Sequence, residues 1–415
     1  MLATPFPRFG FTIDKILPGA LARAGRIITP HGAIETPAFV PVATGATVKG
    51  VRPETVRAVG TQVIFANTFH LHLSPGESVI KAAGGLHKFM NWPGSIMTDS
   101  GGFQIFSLGA AYGQGVSKIT KDQGWSNDQK FNQVSSLVKI DDDGVDFRSP
   151  GDGSLHRLTP EYSIAIQHDL GADIILAFDE CTTSQAPYAY QRIALTRTHA
   201  WAKRSLKRHQ EISRAALKDT QGQPLGPALF GIIQGGRFQD LREESARIID
   251  GLGFDGFAIG GSFNKEDIGA VVAIVNRQLS PDRPRHLLGI GEVEDIFAGV
   301  ASGADTFDCV APTRLGRHGT VETKQGRLNL VSSKFATDFK PIENDCDCQT
   351  CQNYSRAYLS YLFRSREMLA ATLASIHNLF FFSSLLNQIR AAILQDIFES
   401  FRRQFLVRYL STSRV

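Results

Sequence analysis

Long apolar runs are the first thing this sequence lacks. No stretch approaches the roughly 20 consecutive apolar residues of a membrane-crossing helix. Residues 1–14 also lack the basic-then-apolar order of a secretion signal. These absences predict a cytoplasmic protein that does not engage a membrane. Cysteine is scarce, at 5 of 415 residues, and a reducing compartment argues against a disulfide network. Charge of one sign is not in large excess either, since 44 Lys and Arg face 40 Asp and Glu. What remains is a globular composition, 42% hydrophobic, with room for one large domain of roughly 250–300 residues and a smaller one.

The small positive balance is local. Arg314, Arg317, Lys324, Arg327, Lys334 and Lys340 lie in one stretch against only Glu322 and Asp338. A second basic stretch, 192–218, contains a single acid, Glu211. A basic patch on a near-neutral chain suits a polyanion such as a phosphate backbone. For the second stretch, a solvated helix face is an equal alternative.

Three of the cysteines fall within six residues, Cys346, Cys348 and Cys351, and His377 follows. Clustered thiolates with a later imidazole are a four-coordinate zinc pattern. With all four positions filled, such a zinc would be structural, one per chain, pinning a cysteine loop to a helix. From Tyr354 onward Tyr358, Leu362, Leu369, Leu373, Ile376 and Phe380 recur at helical spacing, and His377 falls on that helix.

Short apolar, β-branched runs recur at 38–43, 62–66, 95–98, 173–178, 228–233, 256–259, 286–290 and 306–310, separated by helix-compatible stretches. Eight such units predict an α/β fold, a (β/α)8 TIM barrel; a doubly wound sheet shares the alternation. The run ends decide for the barrel, because polar and glycine residues gather there: Asn67-Thr68, Asp99-Ser100-Gly101-Gly102, Asp179-Glu180, Gln234-Gly235-Gly236, Gly260-Gly261 and Asp308. Barrel enzymes keep their active sites at those ends. Regularity breaks over Leu108–Leu137, which is polar and glycine-rich, and Asp141-Asp142-Asp143-Gly144 then makes a turn.

Asp99, Asp179 and Asp308 would face one cavity. Carboxylates across a sugar can cleave a glycosidic bond, one attacking the anomeric carbon and another moving protons. Three aspartates could instead bind a metal, with His70 or Glu180 as the remaining donor. Arg314 and Arg317 would lie beyond Asp308, suited to phosphates flanking a nucleotide under attack. Phe103 could stack on a flat base.

Taken in order, Thr98-Asp99-Ser100-Gly101-Gly102-Phe103-Gln104, Phe178-Asp179-Glu180-Cys181, Gly231-Ile232-Ile233-Gln234-Gly235-Gly236, Phe257-Ala258-Ile259-Gly260-Gly261, Phe307-Asp308-Cys309-Val310-Ala311-Pro312-Thr313-Arg314 and the cysteine cluster resemble the bacterial-type tRNA-guanine transglycosylases, or queuine tRNA-ribosyltransferases. The resemblance runs from about Phe11 to about Tyr409. It implies a pentosyltransferase of queuosine biosynthesis, exchanging the wobble guanine in a tRNA anticodon loop for a 7-deazaguanine, with 7-aminomethyl-7-deazaguanine the expected base. By the same resemblance Asp308 is the nucleophile and Asp99 the general acid/base. Ser100, Phe103, Gln104, Asp179, Gln234, Gly260 and Gly261 bind the base, and Arg314 and Arg317 touch RNA. It further implies a catalytic barrel over 11–312 with an insertion at 108–137, a zinc-binding, RNA-docking subdomain over 313–415, and a homodimer, for which Leu379–Leu386 is one candidate surface. After Gly261, family members usually continue Leu-x-Val-Gly-Glu, whereas this chain reads Ser262-Phe263-Asn264-Lys265-Glu266. A non-catalytic RNA-binding subunit on the same fold is the competing expectation.

Overall fold

The structure is a computed structural model describing residues 9–111, 119–120, 137–183, 185–215, 226–261, 263–264 and 267–411. In it the eight apolar runs are eight strands: β1 (Ala38–Pro41), β2 (Val63–Ala66), β3 (Ser95–Thr98), β4 (Ile174–Leu176), β5 (Ala228–Ile233), β6 (Gly256–Ile259), β7 (Arg285–Leu287) and β8 (Thr306–Cys309). All neighbours pair in parallel, in the order β1-β8-β7-β6-β5-β4-β3-β2. A bridge between Val42 and Phe65, with the Ala43 N–H donating to the Phe65 carbonyl at 2.7 Å, joins the two ends. The sheet is therefore a barrel rather than a doubly wound layer.

Period-two alternation splits each strand between two cores. Val63 and Phe65 of β2, Ile174 and Leu176 of β4, and Ala228, Phe230 and Ile232 of β5 fill the barrel interior. Ile64, Ile175 and Leu229 point outward into a second cluster shared with the helices. Burial on both faces is why these strands read as unbroken apolar runs. The runs expected at 173–178 and 286–290 contract to Ile174–Leu176 and Arg285–Leu287.

Two small sheets were not legible beforehand. Strands Gly10–Ile16, Arg23–Thr29 and Gly32–Thr36 form an antiparallel sheet that sends Ile27 and Ile34 into the barrel's N-terminal end. Arg23 anchors it through a buried pair with Asp305, at 2.9 and 2.6 Å. Between β3 and β4 lies a second antiparallel sheet, Val138–Ile140, Val145–Arg148 and Leu155–Leu158. Its first turn is the expected aspartate turn, where Asp141 accepts from the Asp143 and Gly144 N–H groups at 2.9 Å each. Most of the expected 108–137 insertion lies outside the described residues. The helix Gly102–Ala111 enters it, and Ile119–Thr120 pairs in parallel with Phe263–Asn264.

The C-terminal region is helical, as the spacing predicts, but broken: Arg356–Arg364 and Met368–Leu394 are separate helices. Arg366 has φ 57° in the break. Tyr358 and Leu369 of the expected apolar stripe are exposed. The expectation about apolar runs also needs correction. Met368–Leu394 has 27 residues and is apolar enough by length and composition to cross a membrane. Two-thirds of its most apolar window is buried inside this protein (67%), so it serves as a core helix here. Within it, Leu379, Phe382, Leu385 and Leu386 are buried in the chain's own core, so packing accounts for that segment.

Candidate functional site

The residues singled out at the strand ends gather at the C-terminal mouth of the barrel. Asp99 follows β3 and Asp308 lies in β8, three strands away around the sheet. Asp179, Gln234 and Gly260-Gly261 follow the consecutive strands β4, β5 and β6. Asp99 and Asp308 are each 8% exposed.

The two carboxylates sit in different settings. Asp99 accepts from the Thr68 N–H at 2.8 Å, from Gln104 Nε2 at 2.6 Å and from the Asn67 amide. Burial nevertheless outweighs these donors and, with the nearby Asp308 charge, pushes its pKa up to about 6. Asp308 Oδ1 accepts from the Gly289 N–H at 2.7 Å and faces His286 Nε2 at 3.2 Å. A carboxyl with a pKa near neutrality beside a second, differently held carboxylate is an acid/base and nucleophile arrangement.

Asp179 is buried and fixed by Gln234 Nε2 at 2.7 Å and Ser100 Oγ at 3.1 Å. A planar base with amide-like edges would meet acceptor and donor groups here. Gly260 and Gly261 lie against the Gln234 side chain, where a Cβ on either would approach it within 2.9 Å. The buried Arg242 donates to the carbonyls of Gly236 (2.8 Å), Ile233 (3.2 Å) and Gly260 (2.7 Å), tying the ends of β5 and β6 together. Gly261 has φ +95°, and a Cβ there would lie 2.8 Å from Arg242 Nη2 and Gln234 Oε1. Glycine is required at that position. Phe103 is half-buried, its ring 6.5 Å from that of Phe106.

Among the described residues the three aspartates do not form a ligand set; the side chains that do are elsewhere. Sγ of Cys346, Cys348 and Cys351 lie 3.8, 3.4 and 3.3 Å from His377 Nδ1, and all four residues are buried. Tetrahedral zinc with Zn–S of about 2.3 Å and Zn–N of about 2.0 Å would separate S and N ligands by about 3.5 Å. The group could thus hold one metal ion with its coordination filled. His377 Nε2 donates to the Glu322 carbonyl at 2.7 Å, which turns Nδ1 toward the sulfurs. Thr350 Oγ1 donates to the Leu373 carbonyl at 2.7 Å, so the cysteine loop is tied to the His377 helix.

A second group, His31, His87 and Asp173, lies at the opposite end of the barrel. Its imidazoles are stacked, with centroids 3.5 Å apart and planes 15° from parallel. Lone pairs of stacked rings lie in separate planes, so one ion cannot take both in good geometry. Asp173 serves instead as a shared acceptor, also taking the Ile96 N–H at 2.8 Å.

The basic stretches behave differently. Arg314 is exposed and Arg317 half-buried on the short helix Ala311–Arg317, just past Asp308. Burial and the adjacent Arg314 lower the Arg317 pKa. In the other stretch, Arg192 pairs with Glu244, Arg197 with Glu180 at 2.5 Å and Arg204 with Glu161 at 2.7 Å. Those three arginines are paired within the chain, which favours the solvated-face alternative there.

Sequence reasoning passed over His286, Arg242 and Asn378 as functional residues. His286 left a signal as an imidazole heading the otherwise apolar run 286–290, whereas Arg242 and Asn378 look like ordinary helix residues until their carbonyl partners are known.

The family model described as Queuine tRNA-ribosyltransferase matches residues 19–126 and 113–411. The chain belongs to the queuine tRNA-ribosyltransferase family. It is therefore an enzyme, a pentosyltransferase. Similar proteins bearing that name include one from Caldanaerobacter subterraneus subsp. tengcongensis, 46% identical over 94% of both chains. Others come from Roseiflexus sp., 46% identical over 95% of this chain and 98% of its own, and Staphylococcus aureus, 45% identical over 94% and 93%.

Proposed function

We propose that this family member exchanges the wobble guanine of target tRNAs for a 7-deazaguanine, with 7-aminomethyl-7-deazaguanine the favoured base, in queuosine biosynthesis. The Asp308 carboxylate attacks C1′ of the ribose. The C1′–N9 bond breaks as the proton on Asp99 passes to the departing guanine. The incoming base then gives a proton to the Asp99 carboxylate and attacks C1′, and the ester to Asp308 breaks. No nucleotide hydrolysis is needed, because one N-glycosidic bond replaces another. Water is the competing acceptor, to be kept out of the pocket.

The observation that carries this reading is the contrast between Asp99, with its pKa near 6, and the doubly anchored Asp308. It also disfavours the non-catalytic RNA-binding alternative, for which neither carboxylate is needed. Asp179, Gln234, Ser100, Gln104, Phe103 and the Gly260-Gly261 backbone would receive the base, splayed out of the anticodon loop. Arg314 and Arg317 would meet the flanking phosphates. In this reading 11–312 is the catalytic unit and 313–415 the docking unit, held by one structural zinc on Cys346, Cys348, Cys351 and His377. The 108–137 insertion would be a lid or RNA contact, consistent with its pairing to Phe263–Asn264. The enzyme would work in the cytoplasm as a homodimer, and the exposed Tyr358 and Tyr361 offer apolar surface to a second copy.

The test is incorporation of radiolabelled guanine into tRNA with competing deazaguanines, alongside elemental analysis. Exchange inhibited best by 7-aminomethyl-7-deazaguanine, with about one zinc per chain, is expected; tRNA binding without exchange would favour the binding-subunit alternative.

A further inference from the structure

His286 sits on β7 beside the strand that carries Asp308. Its register partner is Thr306, two residues before Asp308 and on the same face of β8. The imidazole is fully buried at 0% exposure and stacks on Phe65, with centroids 5.5 Å apart and planes 12° from parallel. Nδ1 lies 2.8 Å from Thr306 Oγ1 and Nε2 lies 3.2 Å from Asp308 Oδ1.

These contacts define the proton positions. A carboxylate only accepts, so Nε2 carries the hydrogen that faces Asp308. With Nε2–H facing Asp308, the remaining nitrogen, Nδ1, faces the Thr306 hydroxyl, which can donate to it. Thr306, His286 and Asp308 thus form a directed chain in a dry interior, where each member fixes the next. The Gly289 N–H approaches the same Oδ1. With two donors on one oxygen, the plane of the carboxylate is set.

We propose that His286 is a positioning residue for base exchange, holding Asp308 through Oδ1 in the orientation from which it attacks C1′. This rests on the reading of Asp308 as the nucleophile. A merely satisfied core histidine would matter for stability alone; a positioning residue also affects the chemical step and the ionisation of its partner. Titratable groups near Asp308 among the described residues include Asp99, whose pKa the Asp308 charge helps to raise, and the Cys309 thiol, which burial pushes up to about 12 and so keeps uncharged.

The experiment is single-turnover formation of the covalent RNA adduct across pH, with guanine KM measured in parallel, for wild type, His286→Leu, His286→Gln and Thr306→Val. Adduct formation needs ionised Asp308 and protonated Asp99, so its acid limb reports the former and its basic limb the latter. His286→Leu is expected to slow adduct formation by about 10- to 100-fold, as a small misplacement of a reacting group does, with guanine KM little changed. Because a lost donor raises a carboxyl's pKa, the acid limb should move to higher pH while the basic limb stays in place. His286→Gln, which keeps an amide donor, should recover most of the rate. A folded His286→Leu variant with wild-type rate and an unmoved acid limb would overturn the proposal. If His286→Leu does not fold, Thr306→Val decides: a slowed step with the same limb shift supports it, and a wild-type profile overturns it. Absence of any adduct in the wild type would remove the nucleophile reading, and this inference with it.

Discussion

The amide of Asn378 donates to the carbonyl of Pro312 at 2.9 Å, joining the helix of the metal-facing His377 to the segment just past Asp308. The same amide donates to the Thr320 carbonyl at 3.1 Å, and its oxygen accepts from the Glu322 N–H at 2.9 Å. One residue away, His377 binds the Glu322 carbonyl, and Ser375 Oγ donates to the Thr313 carbonyl at 3.4 Å. The helix that carries His377 therefore holds the backbone on either side of Arg314 and Arg317.

Asn378→Leu leaves three backbone groups without this partner, those of Pro312 and Glu322 buried and that of Thr320 half-buried. A loss of about 2–4 kcal/mol is expected, measured by urea unfolding of the metal-loaded protein. A change under about 0.5 kcal/mol would mean that the Asn378 bridge carries little.

Asp99 gives a pH signature. Its folded pKa of about 6 lies above the ordinary carboxyl value of 3.8. Its contribution to stability is therefore fully present below pH 3.8 and lost as pH rises through 6. Asp99→Asn avoids that loss, so its melting temperature should gain on the wild type between pH 5 and pH 7.5. A difference constant over that window would contradict the raised pKa.

Gly261→Ala tests the base side of the pocket. A Cβ there meets Arg242 and Gln234 at 2.8 Å on a backbone with positive φ, so the Gly260-Gly261 turn must shift. Guanine KM should rise by about 10-fold or more, the order expected when the pocket's buried polar groups are mismatched, with tRNA affinity unchanged. An unaltered KM would move base recognition elsewhere.

The two basic stretches should separate in a salt titration of tRNA binding. Arg314→Glu with Arg317→Glu should weaken binding and flatten its salt dependence by about one to two charges. Arg204→Gln, whose guanidinium pairs with Glu161, should leave that slope alone and alter stability by no more than about 1 kcal/mol. Equal effects from both stretches would contradict the assignment.

The barrel was legible because its strands are buried on both faces. Val63–Ala66 and Ala228–Ile233 alternate between two cores, so each residue in the run is apolar. The candidate site was legible because Asp99, Asp179 and Gln234 follow such runs and Asp308 is the one charged residue within another. Hidden residues act through backbone carbonyls, which sequence does not display: Arg242 on Gly236, Ile233 and Gly260, and Asn378 on Pro312 and Thr320. Charge counting alone could not separate the alternatives at 192–218, because Glu161, Glu180 and Glu244 pair with Arg204, Arg197 and Arg192 from other elements. The reading that no run approaches a membrane span missed Met368–Leu394, a mostly buried helix that has such a composition.

The central claim is that base exchange passes through a ribosyl ester on Asp308. It is tested most directly by trapping the protein–RNA adduct on a denaturing gel and measuring labelled-guanine exchange, for wild type and Asp308→Asn. The account predicts a covalent band and exchange in the wild type, with both abolished in Asp308→Asn while the variant still folds and binds tRNA. Near-normal exchange by Asp308→Asn would contradict it.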